Sequence, residues 1–370
     1  MVSKKSNLIN FLFIINIVFL LAMISSNFAG ITNPVTWWPF SITALIFPML
    51  LILALITAIF WLFIKPVYSL ISVAAILFSL PNIMVSLPLN ISSGLTELKS
   101  PDELRIVTWN VNLMNYSAKD DATAIIENEK IFNTLYDLNA DVICLQEFFT
   151  AVIPDKTYNF IDSFYNHLGY HYSYFSKDDP KFDGKFYSGT IIFSKYKIVD
   201  SARIPFPEPI AGSIIKTGIL YKNDTIDIVS THMQNINFGR DENKGLQDSG
   251  IKSKSPGLIT KLKYGYSDQV KQVETIQNVL DKSKRAIIFT GDLNDVPTSY
   301  TYQNIKRNLK DAWLEKGAGF GATFNFITHT IRIDYIFYNA FFKSMQTGRI
   351  ISDASDHYGI VTDLLLIPKK

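Results

Sequence analysis

Three apolar runs fill the first 96 residues, no acidic side chain interrupts them, and the only bases are Lys4, Lys5 and Lys65. The runs are Leu8–Ala29, Ile42–Ile64 and Val67–Leu89. A helix needs about 20 mostly apolar residues to cross a bilayer, and each run is of that order. The middle run is uncharged throughout; Asn10 and Asn16 weaken the first, and Pro81 and Asn82 the third. Residues 1–96 are therefore expected to embed in a membrane with about three spans (8–29, 42–64, 67–89), and residues 97–370 to form a separate domain. Lys4 and Lys5 precede the first run, and Lys65 lies between the second and third. The positive-inside tendency puts both sites in the cytoplasm and everything beyond residue 96 on the extracytoplasmic side. The first run also has the shape of a signal peptide ending near Ala29, and its cleavage would leave the domain facing outward as before. The pair Trp37–Trp38 suits an interface before the second span.

The domain carries 32 basic and 33 acidic residues, a balance unlike the strongly basic surface of a duplex-groove binder. Its size suits one large core. Strand-like segments, rich in Ile, Val and Phe, recur at Leu104–Trp109, Asp141–Gln146, Thr190–Ser194, Ile226–Thr231, Ala286–Thr290 and Ile333–Tyr338. Helical periodicity marks Ala122–Leu138, capped by Asp120 or Asp121, and Ser267–Leu280. Strands interleaved with helices predict an α/β layered domain. Phe238–Gly265 reads as a long excursion, with Lys252, Lys254, Lys261, Lys263 and Lys271 in or just after it. The single cysteine, Cys144, lies in an apolar run and reads as a buried small hydrophobe; a disulfide-built fold is excluded.

Polar residues collect where the strand-like segments end: Asn110 and Asn112 in TWNVN, Glu147 in CLQE, His232 in STHMQN, Asp292 and Asn294 in FTGDLND, and Asp356–His357 in SDH; Asp334 sits inside the apolar run RIDYIF. A sheet that aligns its strand ends gathers such groups at one rim, where open α/β sheets bind ligands. Oxygen-rich sets suit Mg²⁺ or Mn²⁺ better than zinc. HExxH, the GxxxxGK[ST] phosphate loop and the GxSxG elbow are absent. Taken singly, Asp292–Asn294 reads equally well as an Asx turn. Asp334 is harder to excuse, since an acid inside an apolar strand needs a partner.

In this order the segments, together with SGTIIFSK, resemble the endonuclease/exonuclease/phosphatase superfamily across Arg105–Leu366. The resemblance implies a four-layered α/β sandwich, with two mixed sheets face to face and helices outside. It implies a Mg²⁺-dependent phosphoesterase (Mn²⁺ as substitute), with Asn110 holding catalytic carboxylates and Glu147 as principal metal ligand. It also implies Asp292 orienting or deprotonating the attacking water, Asn294 and His232 binding phosphoryl oxygens, and His357 facing the phosphate with Asp334 orienting it. Asp356 would be a further metal or water ligand. Asn112 stands where many nuclease members have aspartate, so it offers a metal an oxygen without charge. The expected partner is a phosphodiester substrate, nucleic acid or lipid headgroup; no obligate protein partner is inferred. The readings carried forward are a nuclease-like phosphodiesterase, a lipid headgroup phosphodiesterase or phosphatase, and a non-catalytic membrane-anchored binding module.

Overall fold

The computed structural model describes residues 2–90, 95, 98–155, 157–235, 258–325 and 330–367. His329, Lys252, Lys254 and most of the expected excursion lie outside them. The chain forms two compact units. One comprises Met1–Leu87 with the described part of Ile236–Val270 and with Asp295–Asn304; the other holds Pro88–Asn235, Lys271–Asn294 and Ile305–Lys370.

In the first unit the helices are α1 (Val2–Ser25), α2 (Trp38–Leu45), α3 (Phe47–Ile64), α4 (Pro66–Phe78) and α5 (Leu80–Ser86). Asn7–Phe28 and Phe47–Ile64 are each long and apolar enough to cross a membrane. The third expected run is a pair, α4 and α5, bent by 59° at Ser79, and counts as one span only if the pair is taken together. Leu20, Met23, Phe47, Leu50, Leu51, Ala54 and Ala75 pack inward. Their outward neighbours Phe63, Val67, Leu70 and Met84 are equally apolar and exposed, as candidate spans would leave them. The asparagines that weaken the runs by composition face other helices: Asn16 Nδ2 donates to Ser72 Oγ at 3.3 Å and Asn82 Nδ2 to Ser26 Oγ at 3.0 Å. Such bonds join helices where water cannot.

The second unit contains both sheets. Its elements are β1 (Glu103–Asn110), α6 (Asp121–Leu138), β2 (Val142–Ala151), α7 (Phe160–His167), β3 (Tyr172–Phe175), β4 (Asp179–Lys181), β5 (Phe186–Ser194), β6 (Ile198–Pro205), β7 (Ser213–Tyr221) and β8 (Asp224–His232). There follow α8 (Leu258–Lys282), β9 (Ala286–Asp292), α9 (Tyr300–Lys306), β10 (Lys310–Asp311), α10 (Ala312–Lys316), β11 (Asp334–Tyr338), β12 (Phe342–Ile350) and β13 (Gly359–Leu366); α8 and α9 each begin in the first unit. One sheet runs β12-β13-β1-β2-β5-β3, with β4 on β5, and the other β10-β11-β9-β8-β7-β6. Ile106, Val142, Cys144 and Ile192 of the first sheet share a core with Ile215, Ile228, Ile288 and Ile336 of the second. The sheets thus lie face to face, as the α/β sandwich requires. On the outer side of the first sheet, Ile131 and Leu135 of α6 and Phe160 and Phe164 of α7 pack over Val107, Ile143 and Phe193. Asp120 caps α6, its Oδ1 accepting from Thr123 N–H at 2.8 Å. Two sequence boundaries move: α8 begins at Leu258 instead of Ser267, and Pro88–Asn90 pack with the second unit, Asn90 Nδ2 donating to Leu314 O at 3.0 Å.

Burial pushes the Cys144 thiol up to about 12. The thiolate is the reactive form, so Cys144 should resist maleimide in the native chain and react fully after denaturation. Rapid native labelling would contradict its place between the sheets.

Candidate active site

Strand register assembles the rim. The parallel pair β8/β9 places His232 opposite Asp292, and the antiparallel pair β9/β11 places Asp334 opposite the same Asp292. Gly291 makes the first pairing possible: a Cβ there would stand 2.3 Å from Thr231 O. In the facing sheet, β1 runs parallel to β2 and antiparallel to β13. The end of β1, the middle of β2 and the start of β13 therefore meet at one edge. Glu147 occupies an irregularity in the β2–β5 register between Leu145 and Phe148, with φ +49°. Asn112, Leu113, Met114 and Asn115 follow β1 with φ of +45°, +53°, +49° and +53°. Left-handed backbone of this kind is costly and concentrates at functional sites.

Asn110 joins the sheets. Its Nδ2 donates to Glu147 Oε1 and to Asp292 Oδ2, both at 3.1 Å. Asp292 Oδ1 accepts from Asn294 N–H at 2.8 Å, and Asn294 Nδ2 donates to Met233 O at 2.7 Å. His232 Nε2 lies 3.2 Å from Asn294 Nδ2 and 3.6 Å from both Glu147 Oε1 and Asp292 Oδ2. His357 Nδ1–H donates to Asp334 Oδ2 at 2.9 Å, while Nε2 faces Asp292 Oδ2 at 3.8 Å. The seven predicted catalytic residues are thus in one place. Asp292, Asp334 and His357 are buried, whereas Glu147 and His232 are partly exposed.

Burial opposes charge on His357, but Asp334, Asp292 and Asp356 together outweigh it and raise the imidazole to about 10. Burial likewise pushes the Asp334 carboxyl up, against the pull of His357. The direction that governs the pair is that of His357, because two carboxylates flank a single ring. The two carboxylates thus favour the protonated imidazole.

Two expected metal ligands are less engaged. Asn112 reaches the site through its backbone N–H, which donates to Asn110 Oδ1 at 3.1 Å. Asp356 is exposed, with its Oδ1 3.4 Å from Ser355 Oγ. Asp292, Asp334 and His357 each offer a ligand atom within 4.8 Å of the others, and Asp334 Oδ1 is buried with no hydrogen-bond partner. The cluster, two carboxylates and an imidazole, is compatible with a divalent cation. Sequence reasoning missed two supports. Thr323 Oγ1 accepts from the backbone of Ile333 at 2.9 Å and of Asp334 at 3.1 Å. Ser355 Oγ donates to Asn110 O at 2.7 Å and accepts from His357 N–H at 3.1 Å. Adjacency to SDH marks Ser355; nothing in the local sequence marks Thr323.

Face-to-face mixed sheets with carboxylates, amides and a carboxylate-held histidine on a shared rim are consistent with the site of a metal-dependent phosphoesterase. Residues 107–357 match the family model "Endonuclease/Exonuclease/phosphatase family", and the chain belongs to that family. Residues 9–86 match a second model, a domain of unknown function (DUF8431). None of the curated proteins matches the sequence. Among solved structures, an endonuclease/exonuclease/phosphatase from Beutenbergia cavernae DSM 12333 is 22% identical, with TM-score 0.51 and 72% of each chain covered. A humanized D. rerio TDP2 is 16% identical, with TM-score 0.51, covering 71% of this chain and 99% of that one. A family protein from Bacteroides thetaiotaomicron is 17% identical, with TM-score 0.50, covering 73% and 100%. At these identities the likeness is one of fold.

Proposed function

We propose that the chain is a membrane-anchored, metal-dependent phosphodiester hydrolase, nuclease-like, acting on the extracytoplasmic side. One observation carries the reading: Asn110 holds Glu147 and Asp292 together from opposite sheets, beside a histidine clamped by Asp334. Glu147, Asn112 and Asp356 would hold the cation, which leaves Asp292, Asp334 and His357 for the proton and the phosphoryl oxygens. A bound divalent cation supplies Lewis-acid charge for the nonbridging phosphoryl oxygens. Asp292, fixed by Asn110 and by Asn294 N–H, takes the proton of a water attacking in line with the leaving oxygen. Cationic His357, Asn294 and His232 donate to the phosphoryl oxygens as charge gathers there. Neither Asn110 nor Asp334 transfers a proton; each fixes a neighbour.

The apolar exterior of α1 and α3 supports embedding. Gly30, just after α1, and Ala44, near the end of α2, receive hydrogen bonds from Asn304 and Thr298. That segment therefore lies at the helix ends away from Lys4, Lys5 and Lys65, which supports an outward-facing loop. The same membrane embedding favours a second reading, a lipid headgroup phosphodiesterase or phosphatase. Full-length protein in detergent, assayed on single- and double-stranded DNA, RNA, sphingomyelin and phosphoinositides with Mg²⁺ or chelator, separates the two. Cleavage of none of them would leave the binding-module reading. A reporter at residue 370 tests topology, and cytoplasmic signal would overturn the outward placement.

The histidine pair also predicts a pH profile. A raised folded pKa means that the charge-pair contribution is complete below about 6.5 and is lost as pH rises toward about 10. Activity should hold from neutral pH and decline on the alkaline side, and Asp334→Asn should move that decline downward. An unchanged profile in the variant would remove Asp334 from its assigned role.

A further inference from the structure

Arginine meets aspartate throughout the second unit: Arg105 pairs with Asp363, Arg203 with Asp178, Arg285 with Asp200 and Asp227, Arg307 with Asp281, and Arg332 with Asp311. Arg349, near the end of β12, departs from this: among the described residues no carboxylate pairs with it, and it is partly exposed. Two rings and a carbonyl hold it instead. Its Cζ lies 5.9 Å from the centre of the Trp313 ring and 5.8 Å from that of Tyr358, and Nη1–H donates to Ala322 O at 2.7 Å. A guanidinium carries five N–H donors, so several remain for a ligand. Burial lowers its pKa, and only the Tyr358 phenol acts in the other direction. The Trp313 ring is itself fixed. It is 5% exposed, Nε1–H donates to Gly319 O at 3.1 Å, and a Cβ on Gly317 or Gly321 would stand 2.3 Å from it.

This cradle adjoins the candidate active site through both of its supports. Arg349 is level with Ile360 across the β12–β13 pair, and Tyr358 directly follows His357. Ala322 directly precedes Thr323, whose hydroxyl accepts from Asp334 N–H at 3.1 Å and whose carbonyl accepts from Tyr358 N–H at 2.6 Å. The guanidinium therefore rests on the two segments that hold the His357–Asp334 pair.

From this we infer that Arg349 binds a second phosphate group of the substrate, next to the phosphodiester that His357 faces. A flat guanidinium held between rings presents its N–H groups to phosphate oxygens in a matching fork. The inference rests on the phosphoesterase reading for the substrate it narrows, but the anion site can be measured without turnover. Full-length protein in detergent with Mg²⁺ is assayed on the dinucleotide TpT against pTpT and TpTp, and on glycerophosphoinositol against its 4-phosphate. In one of the two series, wild type should favour the member with the extra phosphate about 10-fold or more in kcat/KM, and that series identifies the source of the phosphate. Arg349→Gln should abolish the preference. Arg349→Lys keeps the charge without the flat stack and should restore part of it, whereas a packing role would be restored by neither. Inorganic phosphate, titrated in chelator and followed by tryptophan fluorescence, should give a signal that Trp313→Phe removes and that Arg349→Gln shifts to about 10-fold or more higher phosphate. A wild type indifferent to the extra phosphate, or unchanged phosphate affinity in Arg349→Gln, would overturn the inference. A wild type that cleaves nothing, yet binds phosphate through Arg349, would sink the enzyme reading and leave the anion site standing.

Discussion

Asp292→Asn should lower kcat on the order of 10³-fold with little change in KM, the loss expected when a positioned base is removed. Asparagine keeps an oxygen for Asn294 N–H, so the loop end can stay in place. It removes the charge proposed to take the water's proton and turns an NH₂ toward the Asn110 NH₂ in place of a carboxylate oxygen. It also strips one of the carboxylates that hold His357 protonated, so the alkaline decline should shift to lower pH in the residual activity. Steady-state rates on the preferred phosphodiester, with far-UV circular dichroism to show retained fold, check both effects. Activity within tenfold of wild type would assign the base elsewhere.

The second large effect concerns stability. Arg105 and Asp363 form a buried two-point pair, Nε to Oδ1 at 2.7 Å and Nη2 to Oδ2 at 2.8 Å, with side chains 2% and 0% exposed. Gln346 Nε2 adds a bond to Asp363 Oδ2 at 2.5 Å, and Arg105 Nη1 one to Leu138 O at 3.1 Å. Asp363→Ala strands a guanidinium whose pKa the carboxylate holds up, and should cost about 3–5 kcal/mol in denaturant unfolding. Arg105→Met combined with Asp363→Leu should recover most of that loss, because an apolar pair carries no desolvation debt. If the single and double variants unfold alike, the pair is not what secures β1 against β13.

The same aspartate shows why part of the fold was hidden from the sequence. β13 reads GIVTDLLL, and Asp363 interrupts an otherwise apolar run; its justification lies 258 positions away at Arg105. β6 is missed for a different reason. Most of its residues are exposed at a sheet edge, so they need not be apolar. The six strands that were legible are mainly interior ones, where burial on both faces writes a continuous apolar word. The site was legible because polar residues at the ends of such strands stand out. Its supports were not: Thr323 acts through its hydroxyl on the backbone of Asp334, and no side-chain pattern announces that. In the first unit, Asn16 and Asn82 read as flaws because composition cannot say which way a side chain faces.

Asn110, Glu147 and His357 belong to the β1–β2–β13 side, whereas His232, Asp292, Asn294 and Asp334 belong to the β8–β9–β11 side. Neither half alone holds both the proton acceptor and the amide that aims it. The proposed site is thus complete only when both sheets have met face to face.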